Sequence, residues 1–228
     1  MNTVCLSTAY LAPVNYYCEL LRSDKVLVEQ CENYVKQTYR NRAYIATANG
    51  VMPLTIPVEH DGGRKISVRD LKISNHGNWR HLHWQALQAA YDKSPYFEYY
   101  ADDFRPFYEG KPTMFLLDYN LKLQELVCRL INFKPATHFT SNYEKEGNFK
   151  DRRNAITPKS RTKDWLYEYC VSHDTKPWAE GGCAYYQVVA QRHGFLPDLS
   201  IVDLLFNMGP ESLLVLDRCC KLIAGPKI

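Results

Sequence analysis

The sequence predicts an α/β fold: a mixed sheet opened by a βαβ unit, with an added antiparallel hairpin and several flanking helices. Two observations carry that prediction. TVCLSTAYL (residues 3–11) reads as a buried strand, residues 14–23 place Val14, Tyr17, Cys18 and Leu21 at helical spacing, and KVLVEQ (25–30) reads as a second strand. Strand, helix, strand within about thirty residues implies a parallel pair with a crossover helix. The second observation is Asn49-Gly50 between RAYIAT and VMPLTIPV, the strongest short hairpin signal in the chain.

The remaining elements follow in order. EHDGGRK reads as a turn, and ISVRDLKIS alternates imperfectly enough to predict a strand with an irregularity near Asp70. From Asn78 the pattern is helical. Ser94-Pro95 breaks it, because the residue before proline resists the α region, and a shorter helix follows. A longer helix, TMFLLDYNLKLQELVCRLI, runs toward the strand-like ATHFT. Residues 141–164 show no periodicity and form a polar basic loop: from Lys145 to Lys163 seven lysines or arginines face two acidic residues. Long aperiodic connections are either functional or disordered. YYQVVAQRHGF, LSIVDLLFNMG and a last helix from about residue 211 to 224 complete a single domain spanning 1–228. In FNMGPES, Gly209 is suited to close one helix in the left-handed region and Pro210 to open the next.

Composition removes several classes. Apolar residues at 46% and charged residues at 23% are ordinary for a globular chain. A net charge of +3 is too small for a dedicated duplex-binding surface, so no nucleic-acid partner is expected, whereas a small-molecule substrate is. The eight cysteines are scattered with no C-x-x-C pair and no zinc-like spacing, which fits a reduced cytoplasmic chain without a metal site. The opening residues lack a signal-peptide pattern, and no apolar run is long enough to span a membrane. No Walker loop, dinucleotide fingerprint, nucleophile elbow or H-E-x-x-H motif occurs, so the cofactor is unspecified.

Open parallel sheets bind ligands at the carboxyl ends of their strands, here STAYLAPVN and EQCENYVKQTYRNR. If residues 34–42 are extended, Lys36, Arg40 and Arg42 alternate on one face and suit phosphate or carboxylate; the alternative is a charged edge strand. Within Asn78–Tyr100, a helical wheel puts Trp79, Leu82, His83, Ala86, Leu87 and Ala90 on one face, with His81, Gln85, Gln88 and Asp92 opposite. His83 reads either as a core histidine with a satisfied imidazole or as a pocket acid, base or ligand anchor. Arg80 and Trp84 on the flank suit stacking on a ligand or a neighbour. DRRNAITPK, with Arg153 and Lys159, is either a clamp for a polyanion or a solvated loop.

The ordered blocks YVKQTYRNRAYI, NGVMPLTIPV, NWRHLHWQALQAAYDKSPYF and LSIVDLLFNMGPES resemble the WbqC-like family across nearly the whole chain. The family's patterned positions fall at Tyr10, Asn41, Arg42, Pro57, Asn78, Trp79, His83, Tyr91, Pro95, Tyr96, Phe97, Ser200, Asp203, Leu204, Asn207 and Gly209. One departure stands out: Ser7 occupies the place where the family's opening signature carries glutamine. The resemblance implies a cytoplasmic enzyme of bacterial surface-polysaccharide assembly of the O-antigen type, transferring an acyl or aminoacyl group to a nucleotide-linked amino sugar. In that scheme His83 is the general base, and Tyr10, Arg40, Asn41, Arg42, Arg153, Lys159 and Asn207 bind substrate. Two alternatives remain: a non-catalytic protein that binds a glycan precursor or partner, and a nucleotide-dependent transferase.

Overall fold

The computed structural model describes residues 1–60, 65–158 and 183–224. Its centre is the βαβ opening: β1 (Thr3–Ser7), α1 (Val14–Arg22) and β2 (Lys25–Glu29). β1 and β2 pair in parallel from Thr3 opposite Lys25 to Ser7 opposite Glu29. β5 (Thr137–Phe139) pairs in parallel with β2, and β6 (Lys150–Asp151) with β1, giving the strand order β5-β2-β1-β6. Val4, Cys5 and Leu6 are all buried, the continuous apolar run expected of a parallel strand covered on both faces.

The hairpin is present as β3 (Arg42–Thr47) and β4 (Gly50–Thr55), with Thr47 opposite Gly50 and Gly50 at φ +99°. It forms its own two-stranded sheet beside the parallel one. On β3 the Tyr44 carbonyl accepts from the Ser200 N–H at 2.8 Å, while Ile201 N–H donates to Ala12 O at 2.9 Å. The chain entering the C-terminal helices therefore laces the hairpin to the connection that follows β1.

Around these sheets lie α2 (Trp79–Tyr91), α3 (Phe97–Glu109), α4 (Leu116–Leu130), α5 (Ala190–His193), α6 (Ile201–Met208) and α7 (Ser212–Ala224). No helix among the described residues is long and apolar enough to cross a membrane.

Three local expectations are corrected. ISVRDLKIS is not a strand. Val68 and Leu71 are both fully buried, and that three-residue spacing is met by a 3-10 turn over Val68–Asp70, with isolated bridges at Ser67, Lys72 and Ile73. On α2 the buried stripe is Trp79, His83, Trp84, Leu87 and Tyr91, whereas Leu82 is 56% exposed. Trp84 belongs to the core because it stacks on Tyr108 of α3, centroids 5.6 Å apart, which rotates the buried face toward that helix. Within the aperiodic stretch, Lys150 and Asp151 form β6, two residues that are too few to show a period. Part of the expected turn after Glu59, and the loop beyond Pro158, lie outside the described residues.

Gly209 ends α6 at φ +53°, and a Cβ there would come within 2.5 Å of the Tyr96 ring. Gly209→Ala is expected to destabilise the protein by about 1–3 kcal/mol, from backbone strain and overpacking together. Urea denaturation checks this as a lowered midpoint at unchanged slope.

Candidate functional site at the carboxyl edge of the parallel sheet

β1 and β2 end side by side at Ser7 and Glu29, so the first polar groups beyond the apolar strands converge there. Glu29 is fully buried. One of its oxygens accepts from Thr140 Oγ1 at 2.7 Å and Cys31 N at 2.9 Å; the other accepts from Glu144 N at 3.0 Å and Arg153 Nη1 at 3.2 Å. Glu32 meets Arg40 through two parallel bonds, Nε to Oε1 at 2.8 Å and Nη2 to Oε2 at 2.6 Å. Arg40 Nη2 also donates to Ser7 Oγ at 2.7 Å, and Ser7 Oγ donates to Arg153 O at 3.1 Å. Ser7 thus bridges the two arginines, and among the described residues no general base stands against its hydroxyl.

Arg153 in turn holds Asp151 with Nε at 3.0 Å and Nη2 at 2.6 Å, and its guanidinium lies 4.8 Å from the Tyr143 ring centroid. That bidentate contact lowers the Asp151 pKa and raises that of Arg153. Next in sequence, Arg152 donates to the buried Glu19 at 3.1 Å. Cys5 sits beneath the cluster, where burial pushes its thiol up to about 12, leaving it protonated and unreactive. The groups border a small cavity of about 10 Å³ lined by Ser7, Thr8, Tyr16, Arg40, Arg152 and Arg153. That space holds about one water.

The sequence-predicted residues divide between this edge and the core. Arg40 and Arg153 meet at the cavity. Residues 34–41 turn rather than extend, so Lys36 is exposed, Arg40 buried and Arg42 intermediate instead of sharing a face. Arg42 opens β3 and donates to Thr55 Oγ1 at 2.9 Å. Asn41 donates to Ile56 O at 2.9 Å, and its Oδ1 is buried without a partner. Lys159 lies outside the described residues.

Tyr10 and His83 sit deeper. The Tyr10 hydroxyl is 3.0 Å from His83 Nδ1 and 3.0 Å from the Tyr108 hydroxyl. His83 also bonds the Thr55 main chain, and burial pulls its pKa down to about 4. A neutral imidazole that donates to Thr55 and accepts from Tyr10, which accepts from Tyr108, satisfies every member of this chain. Trp79 packs edge-on to His83 with centroids 5.1 Å apart, and Arg80 stacks on Trp79 rather than on a neighbouring element.

Asn207 belongs to a third polar cluster. Its Nδ2 donates to Asp203 O at 2.7 Å and its Oδ1 accepts from Val188 N at 3.0 Å. Asp203, fully buried, accepts from Tyr91 at 2.9 Å, Tyr185 at 2.7 Å and Gln187 at 2.8 Å. Burial outweighs those donors and lifts its pKa to about 6.

Sequence reasoning selected the cations and missed their partners: Glu19, Glu29, Glu32, Asp151, Thr140 and Ser7's bridging role. One signal was available, since KVLVEQCE carries two glutamates where an apolar strand runs into its ligand-facing edge. A wider groove of about 750 Å³ runs between α4 and β5, past Cys128, Phe133 and Phe139 together with Glu125, Arg129 and Lys134. Those three charged side chains are exposed to solvent, whereas the carboxyl edge gathers its charges in a buried setting, which makes the edge the better candidate for chemistry.

The fold and this edge define an α/β protein with a buried, ion-paired site where its parallel strands end. A model of the WbqC-like protein family matches residues 8–215, and the chain belongs to that family. It is similar to an uncharacterized protein of Mycobacterium tuberculosis, 25% identical over 226 residues, covering 93% of this chain and 96% of the relative. No solved structure matches it.

Asp203 and His83 make opposite contributions to acid stability. The native pKa of Asp203 is raised to about 6, so its contribution is present below about pH 4 and lost as pH rises through 6. The native pKa of His83 is lowered to about 4, so its contribution is present above about pH 6.5 and lost as pH falls through 4. Each amounts to about 3 kcal/mol, and they offset one another between pH 4 and 6. Relative to the parent, Asp203→Asn should therefore make stability rise more steeply with pH in that window, and His83→Gln should make it fall. Urea midpoints measured at half-unit pH steps check both slopes.

Proposed function

We propose that the protein acts in the assembly of bacterial surface polysaccharides, binding a nucleotide-linked amino sugar at the carboxyl edge and transferring an acyl or aminoacyl group to its amine. Family membership supports the setting. The observation that carries the site is the convergence of Arg40 and Arg153, from distant parts of the chain, on one cavity where β1 and β2 end. Guanidinium groups suit phosphate and carboxylate, and Arg152 adds a third to the lining. In the transfer, the sugar amine attacks the acyl carbonyl, the new C–N bond replaces the bond to the donor's leaving group, and the amine proton passes to a base. His83 is the candidate base, neutral at pH 7; it lies with Tyr10 in the core beside the edge rather than in the cavity lining, so a rearrangement must bring the amine to it.

The size of the cavity sets a condition: it holds about one water, so a sugar-sized substrate requires the edge to widen around it. A second reading is favoured by the pairing itself: Arg40 and Arg153 are each already bonded to carboxylates, which suits a protein that binds a glycan precursor without turning it over.

Thermal denaturation with nucleotide-linked amino sugars, nucleotides and acyl donors tests the site. The amino sugar is expected to raise the melting temperature of the parent, and Arg153→Lys to weaken that affinity by about tenfold, the loss of one charge-assisted contact. No shift with any of these ligands removes the small-molecule reading. A shift without product selects the binding protein, and a folded, fully active His83→Ala variant removes the assigned base.

A further inference from the structure

Eight cysteines scattered along the sequence give no pairing pattern, yet the fold gathers four of them. Cys18 lies on α1, Cys219 and Cys220 lie on α7, and Cys183 precedes α5. The Cys18 thiol lies close enough to those of Cys219 and Cys220 to interact with them, as does Cys219 with that of Cys183. Cys220 Sγ also donates to the Cys18 carbonyl at 3.5 Å, although the two residues stand 202 positions apart. Cys18 and Cys219 are fully buried, Cys183 is nearly so, and Cys220 is partly exposed. A buried structural thiol has no need of thiol neighbours. Cys18, Cys219 and Cys220 come together where α1 packs on α7, and Cys220 reaches the surface, a placement open to a thiol oxidant.

We propose that Cys18 and Cys220 form a reversible disulfide between α1 and α7 when a hydroperoxide reaches the protein, Cys220 meeting the oxidant and Cys18 resolving it. In the first step the Cys220 sulfur takes the distal oxygen of the hydroperoxide, which leaves as an alcohol or water, and Cys220 becomes a sulfenic acid. In the second, the Cys18 sulfur attacks the Cys220 sulfur, the S–O bond breaks, and water departs with the Cys18 proton. The bond would staple the two ends of the fold, because α1 follows the first strand and α7 is the last helix described. A crosslink over so long a loop removes much conformational freedom from the unfolded chain.

The test treats the folded protein with hydrogen peroxide at pH 7, blocks free thiols by alkylation, and maps peptides under non-reducing conditions. The expected result is a Cys18–Cys220 crosslinked peptide, a melting temperature higher by about 5–15 °C, and reversal of both by dithiothreitol. Cys220→Ser should abolish the crosslink while melting like the parent under reducing conditions. Cys31→Ser, which removes a partly exposed thiol elsewhere, should leave the crosslink intact. Recovery of Cys220 as a sulfinic acid without a crosslink, a disulfide between any other pair, or full alkylation of Cys18 and Cys220 after oxidation would each overturn the proposal.

Discussion

The buried ion pairs at the carboxyl edge are the constraint on which the rest of the structure hangs. Taking Glu29, Glu32, Arg40 and Arg153 out of water costs on the order of several kcal/mol per ion, and each must recover it from geometry. Glu29 does so with four donors, contributed by Cys31, Thr140, Glu144 and Arg153. Those donors come from the segment after β2, the residues just past β5, and both sides of β6. The same contacts that solvate one carboxylate thus place both edge strands. β6 would be an implausible strand on its own two residues, and it exists because Arg152 and Arg153 are anchored immediately after it.

A similar economy explains the tyrosine content. The Tyr10, Tyr91, Tyr108 and Tyr185 rings fill core volume, while their hydroxyls complete polar chains around His83 and Asp203. Tyr16 does the same at the edge, donating to Ser7 O at 3.0 Å. Phenylalanine at these positions would fill the space and leave an imidazole, a carboxylate or a carbonyl unpaired, at about 1–3 kcal/mol each. The burial that makes His83 neutral and Asp203 hard to ionise is the same burial that the tyrosine rings create.

What could be read from the sequence was whatever repeats with a local period. β1, α1 and β2 follow from apolar spacing, the hairpin from Asn49-Gly50, and the end of α6 from Gly209. The structure departs where the deciding partner lies far along the chain. Leu82 leaves the buried stripe because Trp84 finds Tyr108, and ISVRDLKIS coils because Val68 and Leu71 must both reach the core. At the site, residue type identified Arg40 and Arg153 but not their state. A guanidinium reads alike whether it awaits a ligand or is bound to Glu32, and only the fold brings the carboxylate to it. The thiol cluster was hidden for the same reason, Cys18 standing most of the chain away from the other three.

Consecutive placement of Arg152 and Arg153 has a mechanical consequence for the edge. Arg152 reaches back to Glu19 on α1, a carboxylate it shares with Arg22, while Arg153 reaches across to Glu29 on β2. Adjacent residues anchored to different elements cannot be released one at a time, because moving the backbone enough to free one guanidinium strains the other. Displacing that segment would therefore expose two buried carboxylates together, at the cost of both. An anionic group entering between Arg40 and Arg153 would take over as their counter-ion, offsetting that cost. Selectivity for anions would then arise from the protein's own carboxylates, which any entering group must replace at the guanidinium groups.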